Sequence, residues 1–392
     1  MLQRLLLLIW IFSASAALPV RAQDNVPACP SGACGGNLVY FGTRASGPGQ
    51  GIFAARFDAT SGHLSPIGLV ADITRPTWLI AHQTLPVLYA VSEVGNDGLS
   101  EASVFSLAAN KATGELGILN SVGSGGGGAT HLAIDTASRT LFVANYGTGQ
   151  VSWLPMLPDG RLGLPMAVES NYGTGPNRRQ AAPHAHGVEV DPSHRFVLAA
   201  DLGADRIFVY HFDLATRQLI PAAPAFVSVS PGSGPRHLVF HPNGRFLFVV
   251  TELSAQVVSY RWDAKHGHLQ HVQTLSVDEP AFTGDKSAAH IETSHDGRYV
   301  YVSDRGANSM VVYAVNSQTG KLSEVQRISC GGKTPWSFSF DTSGRWILVA
   351  NYGSNTIAVF AVDPATGKLI AAPESLSITQ PSNVTFLRAE AQ

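Results

Sequence analysis

The chain has 392 residues, a formal net charge of −2 and only 14% charged residues. That balance leaves no electrostatic footprint for nucleic acid or an anionic membrane, and there is no lysine-rich run and no heptad. The 39 glycines and 23 prolines are scattered among Val, Phe, Tyr and Leu, which suits many short strands joined by tight turns.

The first segment, "MLQRLLLLIWIFSASAALPVRAQ", has one early Arg, an apolar run and small residues. This is a signal-peptide layout with cleavage expected after Ala22, so residues 1–22 should be absent from the mature fold. The run is short for a membrane span, and no later stretch is long or uncharged enough to be one. The mature protein is therefore expected to be exported, periplasmic or secreted, with no membrane span. Residues 23–36 read as a linker. Its Cys29 and Cys34 could close a small loop and leave Cys330 free, and Cys29 as a lipid anchor is a weaker alternative. No CxxC pairs with a histidine at zinc-ligand spacing.

From 37 to 390 a repeat organises a single domain. Seven apolar stretches align: "VYFGTR", "LYAVSE", "LFVANY", "VLAADL", "LFVVTE", "VYVSDR" and "ILVANY", with a period of about fifty residues. Most follow another apolar segment and a turn, as in "HGVEVDPSHRF" and "RHLVFHPNGRF", where Asp, Pro, Asn, Ser and Gly supply turn chemistry. A third strand such as "DRIFVYHF" comes next, and a Gly-x-Leu usually opens a fourth. Four antiparallel strands repeated seven times predict an all-β, seven-bladed β-propeller. The C-terminal "PSNVTFL" looks like a first strand lacking its second, and "NLVYFGT" like a second lacking its first. Sharing one blade, they would close the ring and remove both open edges.

Two positions break the repeat. One starts each first strand: Thr77, Thr130, His186, Arg236, Ala289, Trp336 and Ser382. The other ends each second strand: Arg44, Glu93, Tyr146, Leu202, Glu252, Arg305 and Tyr352. Antiparallel neighbours bring these two rings together, so polar and aromatic groups should surround one mouth of the central channel. His186, Arg236, Glu252 and Arg305, from consecutive blades, are the expected catalytic set. His184, Glu93, Tyr146, Trp336 and His237 are expected substrate contacts. His184 lies two residues before His186, which on a strand puts both side chains on one face. His131, His237 and His290 share the next frame position and can equally face blade packing or the channel wall. A water-filled polar channel, with Glu252 in a structural ion pair, is the bland alternative. Asn145, Asp201, Asp304 and Asn351 read as turn residues. The "GSGGGG" of 123–128 precedes a strand and carries no lysine, so it reads as a loop and not a phosphate cradle.

From about Leu38 to Arg388 the sequence resembles the bacterial lactonase family of seven-bladed propellers. That family includes a 6-phosphogluconolactonase and the related fungal 3-carboxymuconate lactonizing enzyme. The resemblance is carried by "PHAHGVEVD" with "ADLGADRIFVY", "GPRHLVFHPNGRFLFVVTEL", "DGRYVYVSDRGANSMVVY" and "GGKTPWSFSFDTSGRWILVANYGSNTI". The active-site groups proposed for the muconate enzyme, matched through those motifs, fall on His186, Arg236, Glu252 and Arg305. Two departures stand out: Pro335-Trp336 where relatives often have Pro-Arg, and His290-Ile291-Glu292 where they often have Glu-Ile-His.

The resemblance implies hydrolysis of a lactone, such as a sugar-acid lactone, with no cofactor. His186 or Glu252 would serve as base; His186 is favoured because its unperturbed pKa suits neutral pH. Arg236 and Arg305 would hold an anion or polarise the carbonyl. Neighbouring arginines would make Glu252 a weak base but a good anchor for hydroxyls, and Trp336 or Tyr146 could stack on a sugar ring. Three alternatives stay open. They are a metal-assisted site on His184, His186 and Glu252, a non-catalytic exported propeller that binds a sugar or protein, and a muconate-type cyclising activity. A monomer is expected.

Overall fold

The computed structural model describes residues 37–387; the leader, its cleavage point, the linker and the Cys29–Cys34 pair lie outside the described residues. Seven four-stranded antiparallel sheets follow one another. Blade one joins Asn37–Thr43, Ile52–Asp58 and His63–Ala71 to the C-terminal Pro381–Phe386. The first strands of blades two to seven are Leu79–Ala81, Ala129–Asp135, Ala185–Val190, Pro235–Phe240, Ala288–Thr293 and Pro335–Phe340. The fold is the expected seven-bladed propeller, closed by the chain's two end strands.

Second strands such as Phe196–Asp201 and Phe246–Thr251 are buried at every position. Both faces of each blade lie against a neighbour, so these strands read as unbroken apolar runs instead of alternating. Seven core clusters each join two adjacent blades. Phe142 and Trp153 meet Val197 and Phe212 between blades three and four, and Leu198 and Ile207 meet Leu247 and Tyr260 between four and five. Burial of each such side chain contributes about 1.5–3 kcal/mol. The outermost strands, for example Leu369–Ser377, revert to alternation because one face meets water.

In blades four and seven the turn linking first to second strand is built on an aspartate. Asp191 Oδ1 accepts from the backbone N–H of Arg195 and Phe196 while Oδ2 accepts from Ser193. Asp341 repeats this with Arg345, Trp346 and Ser343.

One backbone hydrogen bond recurs in all seven blades and fixes the mouth. The N–H groups of Arg44, Glu93, Tyr146, Leu202, Glu252, Arg305 and Tyr352 donate to the carbonyls of Gln380, Arg75, Gly128, His184, Gly234, Ser287 and Thr334. Each acceptor lies two residues before Ser382, Thr77, Thr130, His186, Arg236, Ala289 or Trp336, so the two irregular rings are one structural frame. Within it the ladder slips. The register jumps from Ala129 to His131, Ala185 to Gly187, Pro235 to His237 and Pro335 to Ser337. Thr130, His186, Arg236 and Trp336 are thus the extra residues of β-bulges, which turn a side chain out of the regular alternation.

Candidate active site

Glu252 is the hub of this mouth. It follows directly on the strand Phe246–Thr251 and is only 4% exposed. Its Oε2 lies 3.0 Å from Arg236 Nε, 2.9 Å from Arg305 Nη2 and 3.9 Å from His186 Nε2. Its Oε1 accepts from Arg179 Nη1 at 2.5 Å. Burial alone would raise the Glu252 pKa, but the guanidinia of Arg305, Arg236 and Arg179 hold it well below the usual carboxylate range. With both oxygens clasped it is an anionic anchor and a poor base.

His186 is the opposite case. Burial, then the charge of Arg236, pushes its pKa well below the ordinary histidine value, with Glu252 only partly opposing. The ring is neutral at physiological pH, and its Nδ1 is buried with no hydrogen-bond partner in the protein. A neutral imidazole with an unpartnered nitrogen beside an arginine cluster has a lone pair that can accept a proton from water.

The four expected catalytic residues therefore meet, but Arg236 is more enclosed than a substrate clamp should be. It is 2% exposed. Its Nε is committed to Glu252 and its Nη1 donates to the Ala289 carbonyl at 2.6 Å. Burial and the nearby Arg305 lower its pKa to about 9, which keeps it charged at neutral pH. Arg236 chiefly braces Glu252. Arg305 is freer, since its buried Nε has no protein partner.

The expected substrate contacts divide. Tyr146 stacks on His184, centroids 4.4 Å apart, and presents its edge or face to His186 at 5.5 Å. His184 precedes the strand and its Nδ1 sits 2.8 Å from the Tyr146 carbonyl oxygen. Because the bulge follows directly, strand alternation does not govern the His184–His186 pair; Tyr146 brings them together. Trp336 carries three guanidinia around its ring, with Arg305 at 4.5 Å, Arg44 at 4.7 Å and Arg236 at 5.7 Å. It is a platform for cations before it is one for a sugar. Glu93 is spent on Arg44, Arg75 and Asn96, so it presents guanidinia and does not offer its own carboxylate. His237 lies behind the site residues, its ring 5.2 Å from that of His186. It is 2% exposed and lies in a cluster with Trp78, His131 and His290 that closes the channel beneath the site.

The metal alternative on His184, His186 and Glu252 is disfavoured at Glu252, because Arg179, Arg236 and Arg305 lie against its carboxylate and their positive charge repels a cation. Among the described residues no group of three or more His, Cys, Asp or Glu is placed to hold a metal ion. The turn residues behave as read: Asp201 Oδ1 accepts from the N–H groups of His184 and Ala204, and Asn351 Nδ2 donates to the Cys330 carbonyl.

Arg179 was missed by the repeat comparison. It sits in the loop before blade four, on a short 3-10 turn, Arg178–Gln180, capped by Asn177. From there it reaches Glu252 and donates to the Tyr146 hydroxyl at 3.1 Å. The legible signal was the Asn-x-x-Gln capping box in "NRRQ", which starts six residues ahead of "PHAHG".

Fold and site together define a propeller with a carboxylate clasped by arginines beside a neutral imidazole at one channel mouth. Residues 38–386 match the family described as Lactonase, 7-bladed beta-propeller, and the chain belongs to that family of lactonases. A 6-phosphogluconolactonase of Bacillus subtilis is 31% identical over 350 residues, covering 89% of this chain and 98% of the relative. The structure of a periplasmic gluconolactonase from Pseudomonas aeruginosa superposes with a TM-score of 0.84 at 34% identity, covering 90% of this chain and 99% of that one. A Lactobacillus plantarum protein of solved structure gives 0.83 at 29% identity, covering 90% and 100%.

Proposed function

We propose that the protein hydrolyses a sugar-acid lactone to its open hydroxy acid, in an exported compartment, at the mouth built on Glu252. The observation that carries this reading is the unpartnered, neutral His186 imidazole held beside the arginine-clasped Glu252. His186 takes a proton from water as the water oxygen bonds to the lactone carbonyl carbon. Arg305 and Arg179 stabilise the oxyanion that develops. The tetrahedral intermediate collapses by breaking the ring C–O bond, and the leaving alkoxide receives the proton from His186. Lactone and water become one hydroxy acid, so atoms and charge balance without a cofactor.

The mouth also suits the substrate class. Among the described residues Arg44, Arg75, Arg179, Arg236 and Arg305 pair with just two carboxylates, Glu93 and Glu252, an excess of positive charge that favours a ligand bearing a carboxylate or phosphate. Glu252 and the Tyr146 hydroxyl offer partners for sugar hydroxyls. Two relatives named for gluconolactone or its 6-phosphate support the same class. The leader-like residues 1–22 and the periplasmic relative support export.

A pH-indicator assay with glucono-δ-lactone, 6-phosphogluconolactone and a simple aliphatic lactone tests the reading on separated periplasmic and cytoplasmic fractions. Turnover of a sugar-acid lactone is expected in the periplasmic fraction. Binding of these compounds without turnover would instead make the protein a sugar-binding propeller.

A further inference from the structure

Below the mouth, the channel holds a file of side chains that the reaction above does not use. Arg236 Nη1 lies 3.3 Å from His237 Nε2 and 3.4 Å from its Nδ1. His237 Nδ1 is 2.8 Å from His290 Nδ1, and His290 Nε2 is 3.1 Å from Glu292 Oε1. Trp78 packs against both imidazoles and Phe338 against His290. The file ends in a cavity of about 710 Å³ at the far side of the channel, lined in part by Glu292 and Glu189.

Donor counting fixes how this file is ordered. A guanidinium can only donate and an ionised carboxylate can only accept. If His290 donated to His237, the remaining N–H of His237 would face Arg236 and the bare nitrogen of His290 would face Glu292; both ends would clash. In the reverse order every contact is satisfied. Arg236 donates to His237 Nε2, His237 Nδ1–H donates to His290 Nδ1, and His290 Nε2–H donates to Glu292. Burial and the Arg236 charge keep His237 neutral, as this order needs. The same guanidinium donates from Nε to Glu252, so hydrogen bonds diverging from Arg236 join the active-site carboxylate to a carboxylate at the other mouth.

We infer that His237, His290 and Glu292 are positioning residues: Glu292 sets the tautomers of both histidines, and they hold the Arg236 guanidinium, and through it Glu252, in place for reaction. None of the three touches substrate. The inference rests on the lactonase reading for its effect on rate, but the tautomer order stands without it.

The test pairs nitrogen-15 NMR of the histidine side chains with kinetics of two variants. In the native protein His237 should carry its proton on Nδ1 and His290 on Nε2. Glu292→Gln keeps an acceptor for His290 and should retain this order and a kcat within about twofold of native. Glu292→Leu removes the acceptor; the order should be lost and kcat should fall about 10- to 100-fold with KM little changed, the scale of effect expected from misplacing a reacting group. Glu292 borders the cavity and is only partly buried, so both variants should fold, as circular dichroism would report. His237 protonated on Nε2 in the native protein would overturn the relay. So would an unchanged kcat in Glu292→Leu. Correct tautomers in a protein that turns over no lactone would keep the relay's order and remove the lactonase reading instead.

Discussion

The charge on Glu252 is stable because three guanidinia surround two oxygens, and this arrangement separates the roles of the site's residues. Comparing blades isolates His186, Arg236, Glu252 and Arg305, since they stand at the two frame positions that do not recur from blade to blade while the apolar scaffold positions do. It could not reveal that Arg236 points inward, because that depends on a bulge and on the Ala289 carbonyl of the next blade. Nor could it find Arg179, which lies in a loop outside the repeated frame. Arg179 is 41% exposed at its side chain and is the most accessible of the three cations on Glu252. Arg179→Met should leave the fold intact. It should lower kcat/KM about 10- to 100-fold, since hydrogen bonds to charged groups are worth about 1.5–3 kcal/mol. Steady-state kinetics with circular dichroism as control decide this; an unaltered kcat/KM would remove Arg179 from the site.

At the scale of the strand, the device that makes the mouth is the bulge repeated at Thr130, His186, Arg236 and Trp336. The hydrophobic repeat makes the strands legible, because buried second strands must be apolar on both faces. A bulge leaves no such trace: it adds one residue without changing the apolar pattern, so the expected alternation of His184 and His186 did not survive. Glycine at 187 is part of the device. A Cβ there would lie 2.5 Å from the Arg236 carbonyl oxygen, which is backbone and cannot step aside. Gly187→Ala should therefore push blades four and five apart where both carry site residues. The expected result is a loss of about 1–3 kcal/mol of stability, read by urea unfolding, together with a reduced kcat/KM. Native values for both would show that the blades have slack at this point.

For the whole molecule, closure of the ring was readable from the unmatched first and last segments, and the structure confirms the pairing of Val39 with Phe386 and Phe41 with Val384. Closure also carries bonds to blade two. Asn383 Oδ1 accepts from the Leu79 N–H, and the hydroxyls of Ser382 and Thr385 donate to the carbonyls of Thr77 and Leu79. A chain ending at Gln380 would expose the edge of Asn37–Thr43 and lose the buried Val384 and Phe386. It should be largely insoluble, or melt far below the full chain, in a thermal scan; a native melting temperature would mean that the ring holds without its last strand.

The central claim is that His186 is the base, and the pH dependence of kcat/KM for a sugar-acid lactone tests it most directly. Because its pKa is pushed down, His186 stays unprotonated well below pH 6.5. The acid limb of the native profile should therefore lie well below that value, and His186→Gln should lose about 100-fold or more of the rate. A limb at or above pH 6.5, or a His186→Gln protein that turns over lactone at the native rate, would contradict the account.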